Sequence, residues 1–302
     1  MRSSSAAAAL VLGATFLALP MSVQAQAPVQ TPPIVQVPPP DVSAGRPADT
    51  LPGRPPTLPG ADGWSMTIGV APVISPVWQG SRDTALSLFP DIRFNYKDVI
   101  FASIPEGLGW NAVNSDGWRA GPLAKIRFGR DEERGGSPFL ITGGSDALLG
   151  LGDVSAAAEL GGFAEKRIGP WRGRVEARRG FGGHEGVLVD GSVAYQARLG
   201  RTILSFGPRA TVASKDYMRT YFGIDPVQSQ RSGLAPYRPG GGLLSFGVGS
   251  SVIHPLDRRS VLTLFSGLDR LGGEPGDSPL VRERGRRMQF TLGLGYGFRY
   301  GL

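Results

Sequence analysis

Cysteine is absent from the 302 residues. Its absence excludes disulfides, thiolate metal sites and a cysteine nucleophile. Histidine occurs only as His184 and His254, too few for a histidine-built metal centre. His184 lies in the glycine-rich Gly182–Gly186 and His254 precedes Pro255. Neither has a nucleophile elbow nearby, so no catalytic residue is assigned and no cofactor or metal is expected. Beyond residue 25 no run of 18 or more apolar residues occurs, so no transmembrane helix is expected there. What the chain has in excess is glycine, 45 residues, and proline, 26 residues.

Three segments differ in texture. Residues 1–25 read as a signal peptide: basic Arg2, apolar Ala6–Leu19, and the small-residue site Val23-Gln24-Ala25. Cleavage is expected after Ala25, and with no cysteine following it a lipoprotein anchor is excluded. Residues 26–62 hold eleven prolines and no apolar periodicity, the composition of a disordered, polyproline-like periplasmic arm. Fully extended, it would reach on the order of 110 Å. Without Arg2 the chain keeps 31 basic against 25 acidic residues. A basic excess suits an anionic surface or solute. Export makes nucleic acid an improbable partner and points to lipopolysaccharide or a charged lumen.

Residues 63–302 alternate with period two. In Arg287–Leu302, Met288, Phe290, Leu292, Leu294, Tyr296, Phe298, Tyr300 and Leu302 share one face. Gln289, Thr291, Gly293, Gly295, Gly297, Arg299 and Gly301 share the other. That is a strand, apolar and aromatic outside, small or polar inside. It is long enough to cross a bilayer at a tilt, which takes about 9–11 residues. Comparable alternation marks Trp64–Ile74, Leu86–Tyr96, Val99–Ile104, Trp118–Phe128, Val154–Gly161, Trp171–Gly180, Val187–Leu199 and Leu204–Val212. Tyr217–Ile224, Leu243–Ile253 and Ser260–Leu268 complete the expected set. The fold expected is an all-β, antiparallel transmembrane barrel of about twelve strands. Closure removes the sheet edges that a membrane does not tolerate. The C-terminal aromatics Tyr296, Phe298 and Tyr300 are the expected assembly signal. Short turns should face the periplasm and longer loops the outside. Val77–Thr84, Pro105–Gly117, Asp225–Pro236 and Gly272–Arg286 fit the outer side. Gly129–Asp153 and the short link at Gly200 fall on the wrong sides in this count, so either a helix including Ala147–Leu151 occupies Gly129–Asp153 or one strand is miscounted.

The inward faces are charged. Arg93, Arg119, Lys125, Arg127, Arg172, Arg174, Arg178, Arg198, Arg209 and Arg299 face Asp91, Glu159, Glu176 and Asp190. Such side chains do not pack a dry core, but they suit a wet lumen. They form either an arginine–carboxylate network that plugs the barrel or a narrow pore preferring small anionic solutes. The spacing of Gly293, Gly295 and Gly297 mimics a nucleotide fingerprint, but no helix follows it.

The second half carries a family signature. Tyr221-Phe222-Gly223-Ile224, Gln228-Ser229, Ser232-Gly233-Leu234, Tyr237 and Gly240-Gly241 resemble a run of the MltA-interacting protein (MipA/OmpV) family. Leu271–Val281, with Asp277-Ser278-Pro279, resembles a loop of that family. Gly150-Leu151-Gly152-Asp153 and Gly182–Gly186 resemble two further elements of it. The resemblance spans about residues 64–302 and implies an outer-membrane barrel. It also implies a non-enzymatic scaffold that joins a lytic transglycosylase to a peptidoglycan synthase, with adhesion and drug entry among other members' roles. This chain departs from such barrels in ending on Leu302 where an aromatic is usual. In the motif loops, Asp277-Ser278-Pro279 is turn chemistry. Tyr217, Tyr221, Phe222 and Tyr237 are expected as outer girdle aromatics.

Overall fold

The computed structural model describes residues 63–97, 99–133 and 139–301. The proposed signal peptide, the proline-rich arm, Asp98 and Leu302 lie outside them. The strands are β1 (Trp64–Pro76), β2 (Thr84–Tyr96), β3 (Ile100–Ser103), β4 (Gly107–Trp110), β5 (Val113–Ser115), β6 (Trp118–Arg127) and β7 (Leu140–Thr142). They continue as β8 (Ala157–Ile168), β9 (Trp171–Gly182), β10 (Val187–Leu199), β11 (Thr202–Ala213), β12 (Gly242–Pro255), β13 (Ser260–Leu271) and β14 (Met288–Gly301). Neighbours pair antiparallel, and β1 bonds both β2 and β14, which closes the sheet on itself. Since β4 and β5 are two pieces of one wall strand and β7 is a three-residue piece on the upper edge of β2, the barrel has twelve wall strands.

The sequence count reached twelve through two compensating errors. Tyr217–Ile224 is not a strand: Lys215–Phe222 is a helix, α1. Its apolar residues Tyr217, Met218, Tyr221 and Phe222 fall at helical spacing on one buried face. Conversely, Gly107–Ser115, read as part of an outer loop, is the broken strand β4–β5. Restoring that strand reverses the direction of every later one up to α1. Gly129–Asp153 therefore lies with the long loops and Gly200 with the short turns. A short helical turn does sit in the long loop, a 3-10 turn at Asp146–Leu148 capped by Ser145.

Outward positions of the wall are apolar and exposed, as on Met288, Phe290, Leu292, Leu294, Tyr296 and Tyr300 of β14. This band would be unstable in water and is a lipid-facing surface. Trp64, Tyr96, Trp110, Trp118, Trp171, Tyr195 and Tyr300 ring the end bearing the short turns. Adjacent members touch: Trp64 and Tyr96 lie 4.5 Å apart, Trp171 and Tyr195 5.1 Å. Amphipathic rings collect where hydrocarbon meets headgroups. The short-turn end is the periplasmic one by the general asymmetry of such barrels.

One place in the wall is low. Most wall strands have 10 to 14 residues, but β3 and β4 have 4 each. Above their turn, the edge of β2 facing β6 is paired only by the three-residue β7, at Leu86 and Ser87. Phe139 fills part of the gap, its carbonyl accepting from Leu88 N–H at 2.9 Å. Its ring lies 5.2 Å from Phe89 and 5.7 Å from Phe128. Two residues along β2 from Leu88, and so facing the same gap, stands Pro90. Proline has no N–H to leave unpaired at a sheet edge in lipid.

Candidate functional site: the charged lumen and its outer cap

The lumen network is built on five neighbouring strands, β6 and β8 to β11. On β8, Glu159 accepts from Arg127 Nε (2.5 Å), from Arg178 Nη1 (2.7 Å), and lies 3.1 Å from His184 Nε2. Arg178 also pairs with Asp190, whose other oxygen accepts the Thr211 hydroxyl at 2.6 Å. Glu176 accepts from Lys125 Nζ (2.6 Å) and Arg174 Nε (2.8 Å). Arg174 reaches on to Glu165 (3.2 Å), which also takes Arg172 Nη2 at 2.5 Å and Arg167 Nε at 3.1 Å. Through Arg174 and Arg178 these pairs form one continuous chain of charge along the barrel interior. Buried charges are tolerated only when paired and hydrogen-bonded in this way.

Two further pairs stand apart. Arg93 bonds Asp91 on its own strand at 2.7 Å. Arg209 Nε donates to Asp269 Oδ1 at 2.7 Å, from β11 to β13 across β12. That crossing needs bare backbone beneath it. A Cβ on Gly247 would come within 2.5 Å of Asp269 Oδ1, and one on Gly267 within 2.2 Å of Arg209 Nη2. The cavity beside Arg174, Glu176, Asp190 and Arg209 has a volume of about 10 Å³, room for about one water. The interior is filled at this level.

Of the inward charges read from the sequence, Arg119, Arg127, Arg172, Arg178, Arg209, Glu159 and Glu176 are buried, and Arg93, Lys125, Arg174 and Arg299 partly so. Arg198 is a correction: it stands exposed at the periplasmic rim, because β10 ends one residue later at Leu199. Sequence reasoning missed Glu165 and Asp269. Both lie just beyond strand ends set too early, at Gly161 and Leu268. Following the same alternation to Ile168 and Leu271 would have found them.

Above the network sits an apolar cap. Trp78, Leu148, Leu151, Tyr217, Met218, Tyr221, Phe222, Leu234, Leu271, Leu280 and Val281 form a buried cluster of loop residues with the outer strand ends. Here the girdle expectation fails for Tyr217 (0% exposed), Tyr221 (2%) and Phe222 (0%). Helical spacing turns them onto each other and down onto the lumen, not out to lipid. Tyr237 is half-buried in the same cap and donates its hydroxyl to the Glu274 carbonyl at 2.8 Å. A β-bulge near Thr211/Val212 lets Leu244 enter the cap core beside inward Ser245. Bulges recur at barrel rims for such re-aiming.

The motif loops tie this cap together. Ser278 donates its hydroxyl to the Phe222 carbonyl at 2.7 Å, joining the two motif runs. Pro279 opens helix Pro279–Arg284 and Asp277 pairs with Arg287. Asp225 and Gln228 form a reciprocal cap on helix Pro226–Ser232, which ends on Gly233 in the left-handed region (φ 75°). Gly223 terminates α1 where a side chain would strike the Arg219 carbonyl at 2.4 Å. Glu132 accepts from Gly150 N–H (3.0 Å) and Gly152 N–H (2.8 Å), and Gln228 Nε2 donates to the Leu151 carbonyl (2.6 Å).

Cap and network meet at α1. His184 packs edge-on against Tyr217 (5.1 Å) and Tyr221 (5.9 Å). The Arg127 guanidinium lies 5.2 Å from the Tyr217 ring, and Arg130 Nη1 donates to the Tyr221 carbonyl at 2.8 Å. Gly186 is needed here, since a Cβ would come within 2.5 Å of Tyr217. Burial pushes the Tyr217 phenol above its ordinary range and draws the Arg130 guanidinium down to about 10. The cap thus rests on the same Arg127–Glu159–His184 group that organises the lumen. Beside it, an outer groove of about 1090 Å³ runs between Asp153–Ala156, Gly182–Gly183 and the Arg219–Arg238 loop. Among the described residues, no group of three His, Cys, Asp or Glu side chains is arranged to hold a metal.

Several solved barrels are similar in outline. An outer membrane channel from Pseudomonas putida F1 is 14% identical, covering 81% of this chain and 97% of its own, with a TM-score of 0.42. Neisserial surface protein A is 11% identical, covering 80% of this chain and 99% of its own, with a TM-score of 0.26. An anion-selective porin from Comamonas acidovorans is 10% identical, covering 78% and 100%, with a TM-score of 0.29. No curated protein matches the chain. The sequence pattern of the family described as "MltA-interacting protein MipA" matches residues 68–300, nearly the whole barrel, and the chain belongs to that family.

Proposed function

We propose that this outer-membrane barrel is a non-enzymatic scaffold that holds murein-remodelling enzymes at the periplasmic face, in the manner the family's description suggests. The observation that carries the reading is the filled interior. Paired charges occupy the lumen and an apolar cap closes its outer mouth, an arrangement suited to a rigid anchor. Partners would meet the periplasmic turns or the proline-rich segment 26–62. Affinity capture of the full chain from crosslinked envelopes should recover a lytic transglycosylase or a peptidoglycan synthase. Recovery of no murein enzyme sinks the proposal. Deleting residues 26–62 separates two sites of contact: undiminished capture makes that segment a spacer.

The rival reading is a narrow channel for small anionic solutes, favoured by the excess of arginine on the inward faces. Planar-bilayer recording separates the two. The scaffold reading expects no steady conductance from folded wild-type barrel, whereas chloride-selective steps would establish the channel. A surface adhesin acting through the outer loops would instead lose surface binding when those loops are shortened.

A further inference from the structure

At the periplasmic end two features lie one beyond the other. The first is the Trp/Tyr belt, which marks the plane between hydrocarbon and headgroups. The second is a cationic sector of the rim just past it. The β10–β11 and β12–β13 turns are neighbours there, since Ile203 pairs with Ile253 and Thr202 Oγ1 lies 2.9 Å from His254 Nδ1. They present Arg198, Arg201, Arg258 and Arg259, all exposed. The only carboxylate of these two turns is Asp257. It accepts the N–H groups of Arg259 (2.6 Å) and Ser260 (2.8 Å), so it is engaged in folding its own turn. On the membrane side, Leu199 and Leu256 are 63% and 47% exposed. The outer face differs, because its exposed charges mix sign, with Lys215, Arg219 and Arg286 among Asp216, Asp225 and Glu274.

We propose that this sector is a binding site for the phosphodiester headgroup of an anionic phospholipid in the periplasmic leaflet. Guanidinium groups match phosphate oxygens with paired N–H donors. Cations held at an anionic lipid surface act together, each adding to the attraction. The sector sits at headgroup height, and the exposed leucines beside it match acyl chains. A soluble acidic partner would leave those leucines against polar surface. The inference rests on the membrane placement of the barrel and not on any murein partner.

The test uses full-length protein reconstituted with phosphatidylethanolamine, phosphatidylcholine and phosphatidylglycerol, then gently extracted, with retained lipids counted by native mass spectrometry. Wild type should retain phosphatidylglycerol over phosphatidylcholine by on the order of tenfold. The R201Q/R258Q/R259Q variant should lose that preference, while R82Q/R219Q/R238Q at the outer end keeps it. A heat-induced gel shift in each variant verifies that it is folded. Equal retention of the two lipids by wild type, or an unchanged preference in the first variant, overturns the site. Inorganic phosphate displacing the lipid at equal concentration would reassign it to free anions. Arginine-dependent capture of a murein enzyme without lipid preference would make it a protein interface instead.

Discussion

At the scale of single residues, the lumen is governed by pairing. Arg209 and Asp269 are both buried and satisfy each other across an intervening strand. Removing one partner strands a charge, which costs about 3–5 kcal/mol, whereas an apolar pair of similar volume is close to neutral. Asp269→Ala should therefore lower the urea-unfolding stability of the barrel by about 3 kcal/mol. The double change Arg209→Met with Asp269→Leu should recover most of it. A silent single change would show that water already screens the pair. Arg209 was legible as an inward charge from alternation alone. Its partner was missed because the strand carrying it was ended at Leu268, one residue short of Asp269. Gly247 and Gly267 were equally opaque, since their meaning is the room they leave for this one contact.

At the scale of elements, periodicity separates what was read well from what was not. β14, β10 and β11 alternate cleanly, and their faces are as the alternation implies. The errors fall where an element is short or changes its period. β4–β5 is interrupted opposite Pro122 and offers too few alternations to stand out. α1 lasts eight residues, and over so short a span its aromatics can also be read as a strand. Its role as the lid on the lumen leads to a direct expectation. Tyr217→Ala with Tyr221→Ala should open the cap, each truncation removing about 3–5 kcal/mol of local packing. Limited proteolysis should then cut within residues 214–241 at concentrations of protease that spare the wild type. The heat-induced gel shift of the barrel should survive, because the wall's hydrogen bonds do not pass through α1. Loss of the shift would mean that cap and wall fold as one unit.

At the scale of the whole molecule, the closing contact between β14 and β1 decides whether a barrel exists. Phe298 lies opposite Ile68 and Tyr300 opposite Met66 in that seam, and both face lipid next to the belt. Asparagine at Phe298 and Tyr300 should reduce the membrane-inserted, heat-modifiable fraction several-fold more than asparagine at Leu302. Equal or opposite effects would discount the aromatics as the assembly signal. The sequence by itself determined the barrel class, its lipid-facing and inward faces, and the basic bias of the interior. Those properties follow from a period of two, which is local and survives without knowledge of neighbours. Tertiary structure alone decided that the arginines are neutralised in pairs, that the motif aromatics fold inward as a cap, and that the wall is low between β2 and β6. Each of these depends on which strands and loops lie side by side. Alternation along one chain carries no record of that, because the partners of a buried charge or ring are fixed only when the sheet closes.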